Sequence, residues 1–258
     1  TTLPASIEAG KVVVPQSCRP KVVATHPWGE LGITNPAALH QQQVLVRDDG
    51  GTWDKVDLPA TGDPYVTGVA ATANGFLIAE NPVAQNGPSH VELYSSPNGR
   101  NWSPVAGVPA FDSVSFSGDR VIGSDAATGT VSVSNDAGNT WSTTSNLGDL
   151  VPGNDPVDNS GASVSAGPLG YAVLVTTAPA SKNGTVANNE RHDFLLHSSD
   201  GVTWKTDDLE SLGKPKDAYT SGVVVGTDHI NVTYALLVPG PNDSTTTKLS
   251  DLVGTPKA

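Results

Sequence analysis

The 258 residues include no methionine and a single cysteine, and 14 Lys plus Arg stand against 26 Asp plus Glu. Cys18 alone leaves no partner for an internal disulfide, and without C-x-x-C or Cys/His spacing a sulfur-ligated zinc site is excluded. A net charge of −12 repels phosphate backbones and anionic lipid heads, so nucleic acid is not expected as a partner. Long apolar runs are missing too. Tyr171-Ala172-Val173-Leu174-Val175 and Ala235-Leu236-Leu237-Val238 are strand length, well short of the roughly 20 residues of a membrane helix, so no membrane span is expected. No initiator and no charged-then-apolar leader is present, so the sequence reads as a processed or trimmed product. Low charge content, 20 Pro and 27 Gly suit an exported protein, secreted or on the cell-envelope exterior. A chain of this length can bury about three quarters of its unfolded surface, enough for a core without cross-links. A monomer is expected.

What the chain does have is a repeated turn ending in Trp: Val46 to Trp53, Ser95 to Trp102, Ser134 to Trp141 and His197 to Trp204. The third copy, Ser134-Asn135-Asp136-Ala137-Gly138-Asn139-Thr140-Trp141, fits S-x-D-x-G-x-T-W throughout. Asp48 holds the Asp position of the first copy, whereas Pro97 and Ser199 replace it in the second and fourth. The chemistry is local. Asp or Ser oxygens accept hydrogen bonds from backbone N–H groups a few residues on, and Gly takes the positive φ of a tight hairpin. Successive Trp residues are 49, 39 and 63 positions apart, a spacing suited to four-stranded units of about 40–50 residues with variable loops.

These octapeptides resemble the Asp-box, or BNR, repeat of sialidase-like β-propellers. The resemblance covers residues from about 40 to 206 and implies an all-β propeller of four-stranded antiparallel blades. Period-two alternation and turn residues place the strands. The second unit reads Tyr65 to Ala71, Gly75 to Ala79, Val91 to Ser95 and Trp102 to Val105. The third reads Ser113 to Ser117, Arg120 to Ser124, Thr130 to Ser134 and Trp141 to Thr144. The fourth reads Ala162 to Ala166, Tyr171 to Thr176, Phe194 to Ser198 and Trp204 to Thr206. In the first unit only Lys21 to Thr25, Gln43 to Val46 and Trp53 to Val56 are legible. Tyr219 to Val225 and Ile230 to Leu237 follow without a fifth Trp turn. One domain of five blades is therefore expected over residues 1–258, the last built from 207–258 plus about 6–16, so that strands from both termini close the ring. Six blades, or a piece of a larger ring, are the alternatives.

Acidic residues precede each expected innermost strand: Asp63, Asp112, Asp155 with Asp158, and Asp217. Converging at a channel mouth, they could hold a hard cation such as calcium, or supply two acids for glycoside hydrolysis. As ordinary turn residues they need do neither. Tyr65 and Tyr219, which begin two of those strands, and Arg191, in the charged piece Glu190-Arg191-His192-Asp193, complete the candidate ligand-binding set with Asp63, Asp112, Asp158 and Asp217. No catalytic, metal or cofactor residue is assigned. His40, His90 and His192 recur 12 or 13 positions before a Trp and are read as structural, and Trp28 as a core residue.

The sialidase resemblance implies three arginines on a sugar carboxylate, a Tyr–Glu nucleophile and an Asp acid/base. Of five arginines, Arg47 and Arg100 lie in the turns, which leaves Arg19, Arg120 and Arg191, so that set does not carry over. Long polar loops, Glu80 to His90, Ala178 to Asp193 and Pro239 to Lys248, open on one face, where scaffolds concentrate binding. The reading is a non-catalytic β-propeller that binds a protein or glycan through that face. The alternatives are a glycoside hydrolase using the channel-mouth carboxylates, and a structural or assembly module of a larger cell-envelope protein.

Overall fold

A computed structural model of the chain describes residues 7–8, 11–12, 22–34, 42–59, 64–82, 90–144, 146–153, 155–157, 162–179, 190–239 and 245–255. They form two compact units, 1–108 and 109–258. In the first, β1 (Ile7–Glu8) pairs with β2 (Lys11–Val12). A sheet in simple order follows from β3 (Val22–His26), β4 (Gly29–Thr34), β5 (Gln43–Asp48) and β6 (Asp54–Val56). A second comprises β7 (Pro64–Thr72), β8 (Gly75–Pro82), β9 (Glu92–Ser96) and β10 (Ser103–Pro104). The second unit holds three sheets: β11 (Ser113–Ser117) through β12 (Arg120–Asp125) and β13 (Thr130–Ser134) to β14 (Ser142–Thr143); β15 (Ser163–Gly167) through β16 (Gly170–Thr177) and β17 (His192–Ser198) to β18 (Lys205–Asp208); and β19 (Tyr219–Val225), β20 (Ile230–Pro239) and β21 (Thr245–Gly254). All pairings between these strands are antiparallel. Among the described residues no helix is long and apolar enough to cross a membrane.

The strand β16 shows why these segments read as continuous apolar runs. Tyr171, Val173 and Val175 belong to one core with Ile122, Val131 and Val133 of the preceding sheet, while Ala172 and Leu174 belong to another with Val223, Val225, Ile230 and Val232 of the next. A middle strand covered on both faces has no solvent side, so alternation disappears. The cost of burying the Tyr171 hydroxyl is offset locally: it lies 2.6 Å from the Ser134 carbonyl oxygen and 2.8 Å from Asn135 Oδ1, which fixes the turn of one sheet against the strand of its neighbour. In the first unit the same kind of layer joins Leu31, Ile33, Val44 and Val46 to Val66, Phe76 and Ile78.

The Trp turns form through side-chain oxygens, but not always the expected ones. Asp136 Oδ1 accepts from the Thr140 N–H at 2.8 Å and Oδ2 from the Thr140 hydroxyl at 2.6 Å, while Ser134 Oγ accepts from the Gly138 N–H at 2.8 Å. In the fourth copy the acceptor is Asp200, with Val202 and Thr203 N–H groups both at 2.8 Å and Ser198 as the flanking serine. In the second it is Asn98, which bonds Arg100 and Asn101 N–H groups at 2.9 Å. The expected register, with Pro97 and Ser199 at the Asp position, is thus off by one: these two turns are a residue shorter between serine and Trp, so alignment on the Trp misplaced the acceptor.

Three strand expectations are corrected. Gly29–Thr34 supplies the illegible strand of the first sheet, with Trp28 in the turn before it. Thr245–Gly254 is a strand of ten residues where a polar loop had been expected to run to Lys248. Finally, among the described residues the last sheet contains three strands, all from residues 219–254, and β1 pairs with β2. The two short β-segments are separated by only two residues, so they satisfy each other's backbone locally.

Candidate functional site

In the second unit the starts of β15 and β19, the end of β16 and the start of β17 surround a cavity of about 460 Å³. Ser163, Thr176, Thr220 and Ser221 line it together with Leu174 and Val175, and Arg191, Asp193 and Tyr219 stand among them. Its position follows from strand direction. In an up-and-down sheet the first strand begins where the second ends and the third begins, so these termini meet at one edge.

Asp193 is the anchor of this edge. Its side chain is buried, with Oδ1 accepting from the Thr176 hydroxyl at 2.6 Å and Oδ2 lying 3.2 Å from Lys214 Nζ. Lys214 is equally buried and also donates to the carbonyl oxygens of Ala218 at 2.6 Å and Pro215 at 3.1 Å, using all three N–H bonds. The lysine therefore neutralises the aspartate and fixes Ala218, a lining residue, and Tyr219 after it. Nothing in Gly213-Lys214-Pro215 signals this in sequence, since a lysine between two turn formers reads as solvated.

Of the candidate residues, Tyr219 and Arg191 are brought together at this cavity. Asp217 is exposed in the turn before Ala218 and does not line it. Asp112 is exposed as well, and its Oδ2 accepts from the Ala126 N–H at 2.7 Å, a turn-capping role. Tyr65, 43% exposed, belongs to the first unit. Asp63 and Asp158 lie outside the described residues, as do Cys18 and His40. His192 Nδ1 is 3.7 Å from Glu210 Oε1. Among the described residues no group of three or more His, Cys, Asp and Glu side chains converges as a metal site.

The first unit holds an acid that the sequence did not single out. Glu80 sits directly across from Glu92 on β9, is only 1% exposed, and neither carboxyl oxygen has a hydrogen-bond partner. Burial, and then the charge of Glu92, push its pKa up to about 7. Tyr94 donates to Glu92 Oε2 at 2.6 Å, and its own pKa is raised by burial and by that bond. In the equivalent register of β16 and β17 the same pair of positions is Val175 and Phe194, so the acid occupies a core site.

No protein-family model and no curated protein sequence matches the chain. Solved structures do resemble it at low identity. An ancestral GH74 enzyme is 15% identical over 92% of this chain and 33% of its own, with a TM-score of 0.47. This chain thus spans about a third of that enzyme. A GH43 endo-arabinanase from Bacillus licheniformis is 12% identical over 89% of this chain and 91% of its own, TM-score 0.35. A xylan β-1,4-xylosidase from Bacillus halodurans C-125 is 14% identical over 89% and 51%, TM-score 0.34. The expectation of a non-catalytic binding protein is corrected at this point, since the similar structures are a GH74 enzyme, an endo-arabinanase and a xylosidase.

Proposed function

We propose that the chain is a carbohydrate-active β-propeller of the glycoside hydrolase type, exported, which takes a sugar into the cavity between the starts of β15 and β19. The five larger sheets are its blades, and the turns at Ser96, Ser134 and Ser198 are its Asp boxes. The observation that carries the reading is the cavity wall. A sugar ring presents hydroxyls around its rim and C–H groups on its faces, and the lining mixes the hydroxyl-bearing Ser163, Thr176, Thr220 and Ser221 with Leu174, Val175 and Tyr219. Asp193 brings one carboxylate, whose oxygens each keep a lone pair beyond the bonds to Thr176 and Lys214.

Hydrolysis by the two-acid route needs a second carboxyl. Asp158 follows the lining residue Val157 in sequence and lies outside the described residues, so its variant belongs in the test. The experiment is a panel of aryl glycosides and neutral oligosaccharides, assayed for turnover and by calorimetry. Turnover is expected, with Tyr219→Ala raising KM about tenfold, equivalent to about 1.4 kcal/mol, and Asp158→Asn lowering kcat. The absence of both turnover and binding across the panel overturns the reading.

A further inference from the structure

A pattern other than the Trp turn occurs twice in the chain, as Asp63-Pro64-Tyr65-Val66-Thr67-Gly68-Val69 and as Asp217-Ala218-Tyr219-Thr220-Ser221-Gly222-Val223. Each copy runs into the first strand of a sheet, β7 in the first unit and β19 in the second. Both strands carry a β-bulge at the same place. The register against the second strand skips Thr67, between Val66 paired with Glu80 and Gly68 paired with Ala79. It skips Ser221 likewise, between Thr220 paired with Tyr234 and Gly222 paired with Thr233. The bulged hydroxyl is used alike in both: Thr67 Oγ1 donates to the Ala79 carbonyl oxygen at 3.4 Å, and Ser221 Oγ to that of Thr233 at 3.1 Å. The first strands of the other large sheets, β3, β11 and β15, pair without such a shift.

The bulge decides where the tyrosine goes. Val69 and Ala71 pack into the core shared with the preceding sheet, and strict alternation along β7 would carry Tyr65 into that core as well. One extra residue reverses this: Val66 takes the core position and Tyr65 turns to the other face, 43% exposed. In β19 the core residues are Val223 and Val225, and Tyr219 is turned out in the same way, 39% exposed. A ring that alternation would have buried is thus presented to solvent in both sheets, and Tyr219 lines the first cavity.

We propose that Tyr65 is a sugar-stacking platform of its own in the first unit, the counterpart of Tyr219, and takes the apolar face of a neutral sugar ring. The proposal rests on the reading of the first cavity as a sugar site. The surroundings of Tyr65 fit such a guest. Asn81, directly across from it on β8 and partly exposed, places an amide on the same face, and the exposed Thr67 adds a hydroxyl. An aromatic ring flanked by a few uncharged polar groups matches a sugar, apolar on its faces and polar at its rim. The net charge of −12 disfavours an acidic sugar.

The test follows the tyrosines directly. The chain contains five, and ring-labelled Tyr gives each its own nuclear magnetic resonance signals, with those of Tyr65 and Tyr219 assigned from Tyr65→Phe and Tyr219→Phe. Neutral trisaccharides of xylose, arabinose and glucose are titrated into the full chain to about 20 mM, high enough to see millimolar binding. With at least one of them the Tyr65 and Tyr219 signals are both expected to shift saturably. In Tyr219→Ala the Tyr65 signal should still shift, its midpoint changed less than about twofold, as for independent sites. No shift of Tyr65 with any of the three overturns the platform, and a response of Tyr219 alone leaves the cavity reading standing. A shift of Tyr65 alone supports the platform and counts against the cavity. A Tyr65 signal that stops responding in Tyr219→Ala also overturns the proposal, because one site then serves both rings.

Discussion

The ammonium nitrogen of Lys214 lies 3.2 Å from Oδ2 of Asp193, with only 1% and 6% of the two side chains exposed. Around this pair the backbone closes twice more, from the Leu209 N–H to the Asp193 carbonyl at 3.0 Å and from the Lys214 N–H to the Leu209 carbonyl at 2.8 Å. The segment between β18 and β19 is thus tied to the start of β17, and the wall of the first cavity is held by charge. Replacing Lys214 with Met strands a buried carboxylate, so a loss of about 3–5 kcal/mol is expected from urea unfolding. Adding Asp193→Asn to Lys214→Met should restore part of it. A double variant as unstable as the sum of its singles would remove the pair from this role.

Glu80 makes stability depend on pH. Its pKa is 4.5 in the ordinary state and about 7 when folded, so the unfolded chain gives up the proton first as pH rises. Stability contributed by this group is full below pH 4.5 and is lost progressively up to about pH 7. Glu80→Gln should therefore gain on the order of 3 kcal/mol over the parent at pH 8 and nothing at pH 4. Denaturant midpoints at the two pH values check this, and parallel shifts at both would discard it.

Two turn carboxylates act at the acid end. Hydrogen bonds from the Thr203 and Val202 N–H groups hold Asp200 down to about 2, and bonds from Thr140 lower Asp136. Depressed values mean stability that is present above about pH 3.8 and lost as pH falls toward 2. Replacing both by Asn, which keeps an acceptor oxygen but not its charge, should lower the melting temperature at pH 7 and flatten its fall between pH 4 and 2, so that parent and variant converge near pH 2.

Gly201 has φ +80 and its added Cβ would press on Val133. Gly201→Ala is expected to cost about 1–3 kcal/mol from strain and overlap together. Val133→Ala removes the overlap but leaves the φ, so the double variant should recover only the packing share. Thermal unfolding of the four proteins in the cycle measures that coupling.

Strands such as Ser113–Ser117 and Thr130–Ser134 were legible to the residue, because a compact hairpin with Gly at the turn writes its own boundaries. Gly29–Thr34 was not legible: its glycines and glutamate carry none of the β-branched signal, and burial against Phe76 and Val66 makes it a strand. Of the candidate site, Tyr219 and Arg191 were legible as residues flanking a strand and a long loop. Asp193 and Lys214 were not identified as a pair, since 21 positions separate them and only the return of the chain after β18 brings them together. Glu80 read as the start of a loop, and only its pairing opposite Glu92 shows that it is sealed in.

By itself the sequence determined the unit of construction, an antiparallel hairpin stack punctuated by Trp turns, because turn geometry depends on side chains acting over three or four residues. The tertiary structure alone decided which acids are buried and which lysine neutralises one of them. Those outcomes depend on what each face meets across a sheet interface, and that contact is set by residues far apart in the chain.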